Sequence, residues 1–252
     1  MNRPVLEVAD IFRMHGPEFL DAFGATVSSE QRRVLKDVAL CRTAALGGHV
    51  EACTACGHRQ IAYNSCRNRH CPKCQAGTRA EWLAAREADL LSVEYYHAVF
   101  TLPHQLGPLA LQNQRTVYGL LFQATAETLL QIAADPQHLG ATIGFHAVLH
   151  TWGQNLMHHP HVHCVIPGGG LSPDKTRWVS CPKNFFLPVH VLSEVFRGKF
   201  LEMLQRAFAS GALSFYGRLH PLQNPSAFQE LLEATTRTRW VVYVKPPFDA
   251  SS

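Results

Sequence analysis

Two groups of side chains in this 252-residue chain have the types and spacing of metal ligands. Six of its eight cysteines, Cys41, Cys53, Cys56, Cys66, Cys71 and Cys74, fall within 34 residues. Cys53-Thr-Ala-Cys56 and Cys71-Pro-Lys-Cys74 are two C-x-x-C pairs fourteen residues apart, a spacing at which two tight turns can offer four thiolates to one zinc ion. Cys41, His49, Cys66 and His70 frame the same segment and could form a second, interleaved Cys2His2 site, with His58 a further candidate. The other group is Met157-His-His-Pro-His-Val-His-Cys164. Side chains alternate faces along a strand, so His161 and His163 point the same way and could grip a divalent cation. A third ligand is needed, and Gln154, His159, His146 and His150 are the candidates.

Between Glu51 and Glu81 the chain carries Arg59, Arg67, Arg69, Lys73 and Arg79 and no acidic residue. Cations on a metal-held loop suit DNA phosphates. The overall net charge of +4 is too mild to name a partner.

The elements that must position these groups follow from periodicity. Helix is expected up to about residue 46, with Ser28 and Gln31 at capping-box spacing. The stretch 41–74 is rich in Gly, Asn, Arg and Cys and has hardly any periodic apolar residues, so a metal must supply the cohesion that a core would. A helix over 79–91 leads to a strand over 94–102 stopped by Pro103. Further elements are a helix over 117–134, strands over 141–151, 159–166 and 177–180, helices over 190–209 and 225–236, and a strand over 240–244. Strands and helices mix without βα alternation, which predicts an α+β fold with antiparallel pairs. Residues 1–92 form a small helical and zinc-binding domain, and 93–252 a second domain with a central antiparallel sheet flanked by helices. With 46% hydrophobic residues the chain is globular. It has neither a signal peptide's apolar core nor a run long enough for a membrane helix, which points to the cytoplasm and no membrane partner.

The setting H-P-H-V-H-C-V-I-P-G-G-G at 159–170 resembles the His-hydrophobic-His (HUH) endonucleases, specifically the rolling-circle transposases of the insertion-sequence-ninety-one group. Segments C-R-T-A-A-L-G-G-H at 41–49, N-R-H-C-P-K-C-Q at 68–75, F-T-L-P-H at 100–104 and R-W-V-V-Y-V-K-P-P-F at 239–248 are similar to that family in the same order. The resemblance implies an N-terminal zinc-binding domain that engages DNA, followed by an HUH-type catalytic domain. There the paired histidines hold Mg or Mn against a phosphate of single-stranded or element-end DNA, and a tyrosine attacks to leave a 5′-phosphotyrosyl link. Such relatives carry that tyrosine after the K-P-P-F segment, so it is expected beyond Ser252. Tyr216 and Tyr243 follow the histidine pair and have ordinary loop and strand explanations. The expected function is therefore DNA binding with metal-dependent nicking and joining of single strands in transposition. The alternatives are a non-catalytic zinc-dependent DNA-binding protein and a metal-dependent hydrolase. The last needs a carboxylate base, and Asp174 is the acidic residue nearest in sequence.

Overall fold

The computed structural model describes residues 6–249. The chain divides into two compact units after Leu90.

The first unit begins with two helices, α1 (Val8–Phe23) and α2 (Ser29–Leu40). The Ser28 hydroxyl accepts from Gln31 N–H and the Gln31 side chain accepts from Ser28 N–H, the reciprocal capping that the sequence predicts. Next comes an antiparallel hairpin, β1 (Gly48–Ala52) and β2 (Arg59–Tyr63), which local periodicity did not reveal. Helix α3 (Pro72–Ala88) starts seven residues earlier than the expected 79, with Cys71 as N-cap and proline at its first position. Cys74 therefore lies in the first turn of a helix and not in a free loop. The buried cluster of this unit is Ala9, Val38, Cys41 and Cys71, with Phe12, Val34, Cys66 and Cys74 packed against it. Half of that small core is sulfur.

The second unit is built on a four-stranded sheet of order β4-β5-β3-β8, formed by β3 (Tyr95–Thr101), β4 (His146–Trp152), β5 (His158–Pro167) and β8 (Val241–Val244). Every neighbouring pair is antiparallel, as the α+β reading requires. Helices α4 (Gly107–Gln112), α5 (Gln114–Ala134), α6 (Val189–Ala209) and α7 (Pro225–Thr236) complete it, with a short hairpin of β6 (Gly169–Leu171) and β7 (Trp178–Ser180). Helix α4 was not expected, and the strand foreseen over 141–151 pairs in the main sheet only from His146 onward. Upstream of it, Thr142 bridges to Leu171 of β6.

One face of the main sheet is buried. Alternate residues Tyr96, Ala98 and Phe100 of β3, Val162, Cys164 and Ile166 of β5, and Val242 of β8 join a core with Leu121 and Leu129 of α5 and Phe196, Phe200 and Leu204 of α6. Phe196 meets Phe100 edge to face at 5.1 Å and Trp240 at 5.4 Å. Burial pushes the Cys164 thiol up to about 12, which makes it a core residue without chemistry. The other face carries the odd-numbered residues of β5 and is left open by these helices.

The run Gly168-Gly169-Gly170 has a steric cause. A Cβ on Gly170 would stand 2.5 Å from the Thr142 carbonyl oxygen, a backbone atom that is itself bridged to Leu171. Gly170→Ala should therefore destabilise the second unit by about 1–3 kcal/mol in urea unfolding. Gly119→Ala, where the added methyl meets nothing on the exposed side of α5, should instead stabilise it by about 0.5–1 kcal/mol. Equal effects at the two positions would contradict this packing.

Candidate metal centres

Of the expected zinc ligands, the structure brings together Cys41, Cys66, Cys71 and Cys74, whose sulfurs all lie within 4.8 Å of one another. This corrects two groupings. Cys53 and Cys56 do not join Cys71 and Cys74, and Cys41 and Cys66 do not form a separate site with His49 and His70. The reason is the hairpin. Arg42 N–H donates to Asn64 carbonyl and Asn64 N–H to Gly47 carbonyl, so β1 and β2 close at their base and bring Cys41 to Cys66, whose N–H lies 3.5 Å from the Cys41 sulfur. Five paired residues at roughly 3.3 Å each carry the Cys53–Cys56 turn to the far tip. His49 lies exposed on β1 beside Glu51 at 3.3 Å, and His70 is exposed beside Arg69 at 3.2 Å.

The four grouped sulfurs fit a tetrahedral zinc. Thiolates about 2.3 Å from zinc lie roughly 3.8 Å apart, and Cys74 Sγ is 3.5 Å from both Cys41 and Cys66 Sγ. Burial pushes the Cys66 thiol up to about 12. Burial also opposes ionisation of Cys74, but hydrogen bonds from the Cys41, Cys66 and Cys71 thiols outweigh it and hold Cys74 at about 7. The tip turn is different in kind. Cys53 and Cys56 are exposed, and backbone N–H groups of Cys56 and Ala55 lower the Cys53 thiol.

Among the five cations expected to meet DNA, Arg59, Arg67, Arg69 and Arg79 are exposed. Arg67 and Arg69 line a recess with Arg33, Asn68 and His70 beside the start of α2. Lys73 is otherwise engaged, its ammonium 2.6 Å from the Glu7 carboxylate. It ties the start of α3 to the start of α1.

In the second unit, strand register builds the histidine centre. His161 pairs with His150 of β4, and His163 pairs with Val148 of β4 and Val99 of β3. One nitrogen from each of His150, His161 and His163 lies within 4.8 Å of the others. Of the candidate third ligands, the sheet brings His150 to the pair. Gln154 sits exposed in the β4–β5 turn beyond the last paired residues, His146 lies two alternations from His150 along β4, opposite Val165, and His159 lies beside His161 with ring centroids 5.3 Å apart.

Hydrogen bonds select the free nitrogens. His161 Nδ1 is 2.6 Å from the His159 carbonyl oxygen, so it donates there and leaves Nε2 bare. His163 Nδ1 is 2.7 Å from His97 Nε2, while His163 Nε2 is buried and has no hydrogen-bond partner. A buried unpaired imidazole nitrogen among two others is the geometry of a ligand awaiting an ion. Burial, with the neighbouring His150, His161, His97 and Lys245 charges, holds His163 down at about 4, and burial with Lys245 and His150 lowers His97 as well. At neutral pH these two imidazoles are therefore uncharged, the form that binds metal. His97 was not singled out by sequence, although it keeps period two with Tyr95 on β3.

Among the described residues, no carboxylate joins the three imidazoles. Asp174 is held in the β6–β7 turn by Ser172 Oγ and Thr176 N–H, which keep it at about 2. Tyr243 is half exposed on β8, paired with Val99, whose other partner is His163. Tyr216 is exposed in the loop after α6, its N–H bonded to Gln112. No helix among the described residues is long and apolar enough to cross a membrane.

Comparison with known proteins agrees with this two-centre layout. Residues 11–102 match the family described as "Transposase zinc-binding domain" and residues 144–252 the family described as "Putative transposase". The chain is 59% identical over 248 residues to "Putative transposase y4qJ" of Sinorhizobium fredii (strain NBRC 101917 / NGR234), covering 98% of this chain and 62% of that protein. It is 35% identical over 133 residues to "Transposase for insertion sequence element IS801" of Pseudomonas savastanoi pv. phaseolicola, covering 52% of this chain and 32% of the relative. The chain thus spans less than two thirds of the length of these relatives. Among solved structures, the conjugative relaxase TrwC with mutant OriT DNA is similar at a TM-score of 0.35 and 15% identity, covering 85% of this chain and 71% of that one. The cysteines of the first unit thus lie within the transposase zinc-binding match and the histidine strand of the second unit within the other transposase match, so both centres fall in segments similar to transposases.

Proposed function

We propose that this chain supplies the DNA-binding and phosphate-activating parts of a transposase that nicks and joins single-stranded DNA in the cytoplasm. The observation that carries the reading is the convergence of His150, His161 and His163 on the open sheet face, with His163 Nε2 buried and unpaired. A divalent cation held there, Mg or Mn, supplies Lewis-acid polarisation of a phosphate oxygen. The residues do the rest: the His159 carbonyl and His97 orient the two paired imidazoles, and Trp152, exposed and parallel to His150 at 5.5 Å between centroids, offers a face on which a nucleobase can stack. In this reading a tyrosine attacks the phosphate. In the first unit Cys41, Cys66, Cys71 and Cys74 hold zinc, and Arg59, Arg67, Arg69 and Arg79 face the DNA backbone.

The test uses the chain with single-stranded DNA and Mn2+. His161→Ala and His163→Ala should each weaken Mn2+ binding by more than about 100-fold in calorimetry, and should weaken DNA binding only when Mn2+ is present. Arg67→Ala with Arg69→Ala should lower the slope of log affinity against log salt by about 2. Binding that ignores both the histidines and salt would refute the reading. A covalent adduct on a denaturing gel would instead assign the nucleophile to this chain, with Tyr243 the first to substitute because it shares the histidine face.

The zinc assignment has its own readout. A structural zinc supplies on the order of 10–16 kcal/mol of apparent folding free energy, so Cys66→Ser should lose zinc and unfold the first unit. The double change Cys53→Ser, Cys56→Ser should keep a zinc and the fold. Alkylation mapped by mass spectrometry should mark Cys53 first and spare Cys41, Cys66, Cys71 and Cys74 until a chelator is added. Loss of all zinc in the tip variant would restore the grouping expected from sequence.

A further inference from the structure

The contact between His97 and His163 is more specific than two histidines crowded on one face. Their nearest nitrogens, Nε2 and Nδ1, are 2.7 Å apart, the rings lie within 13° of parallel, and the centroids are 4.9 Å apart. That centroid separation equals the N···N distance plus one ring radius on each side. The rings are therefore edge to edge and nearly in one plane, as a straight N–H···N hydrogen bond requires, and are not laid one over the other. Strand register holds this arrangement in place. His97 of β3 pairs with Val165 of β5 and its carbonyl accepts from Lys245 N–H, so its ring is the diagonal neighbour of His163 on the open face.

Only one proton lies on the line between the two nitrogens. If His163 presents Nε2 outward, its proton sits on Nδ1 and is donated to His97, whose own proton must then sit on its Nδ1. The buried, unpaired state of His163 Nε2 agrees with that assignment. Building on the metal reading above, we propose that His97 is the positioning residue of this centre: it accepts the Nδ1 proton of His163 and fixes the tautomer and ring plane that leave His163 Nε2 for the cation. Outer partners of metal-bound histidines are usually carboxylates, carbonyls or water, and they tune ligand basicity as well as orientation. A neutral imidazole in that place adds no negative charge. The His159 carbonyl behind His161 adds none either. The centre is thereby built from neutral groups, so the charge of a bound cation stays uncancelled toward an anionic phosphate.

The experiment compares the wild-type chain with His97→Phe, which keeps a ring but has no acceptor, and His97→Gln, whose amide oxygen can accept from His163 Nδ1. Three readouts are taken: Mn2+ affinity by calorimetry without DNA, the His163 tautomer in the metal-free chain by long-range 1H–15N NMR, and thermal unfolding. We expect the proton on Nδ1 of His163 in wild type, a 10–100-fold loss of Mn2+ affinity in His97→Phe with an unchanged unfolding midpoint, and recovery of most of that affinity in His97→Gln. A proton on Nε2 of wild-type His163, or Mn2+ affinity in His97→Phe within twofold of wild type, would overturn the proposal. Wild-type chain that binds no Mn2+ would defeat the metal reading itself, and the nitrogen spectrum would still decide whether His97 sets the tautomer.

Discussion

The pairing of β5 between β4 and β3 is the constraint on which the second unit depends. It seats Val162, Cys164 and Ile166 in the core under α5 and α6 and, by the same alternation, presents His161 and His163 on the opposite face. A slip of one residue would bury the imidazoles and expose the apolar side chains. The chemistry is therefore protected by the hydrophobic effect acting on the back of the same strand. Register then recruits His150 from one neighbour and His97 from the other, residues 11 and 66 positions away from their partners His161 and His163.

The first unit solves a different problem. Among the described residues its buried cluster is Ala9, Val38, Cys41 and Cys71, with few apolar side chains around them, too little to hold three helices and a hairpin by burial alone. Four convergent sulfurs at the junction of α2, the hairpin base and the N-terminus of α3 take the place of a core. Lys73 and Glu7 add an ion pair between α3 and the start of α1. The arginines are left on the outside of that assembly. Metal, packing and the exposed arginine surface are thus coupled in one small body, and loss of the metal should be felt by all three.

Charge separates the two centres. The thiol group needs a cation to neutralise its sulfurs, which makes it structural. The histidine group offers imidazoles, which bring no negative charge, and no carboxylate among the described residues joins their cluster, so a cation there keeps its charge for a ligand.

Several features were legible in the residues alone: the α+β class, the Ser28–Gln31 capping box, the shared face of His161 and His163, and the need for metal in a core-poor cysteine segment. Each depends on local periodicity or composition, which a linear chain displays directly. Grouping was not legible. Pairing the cysteines by their C-x-x-C spacing placed Cys53 and Cys56 in the zinc site, whereas a hairpin joins its ends and removes its tip, so Cys41 and Cys66 converge instead. The choice of His150 as third imidazole, the place of His97 behind His163 and the diversion of Lys73 to Glu7 were likewise decided by tertiary structure. All of these are contacts between segments distant in sequence, set by strand register and helix docking, and neither spacing nor residue type encodes them.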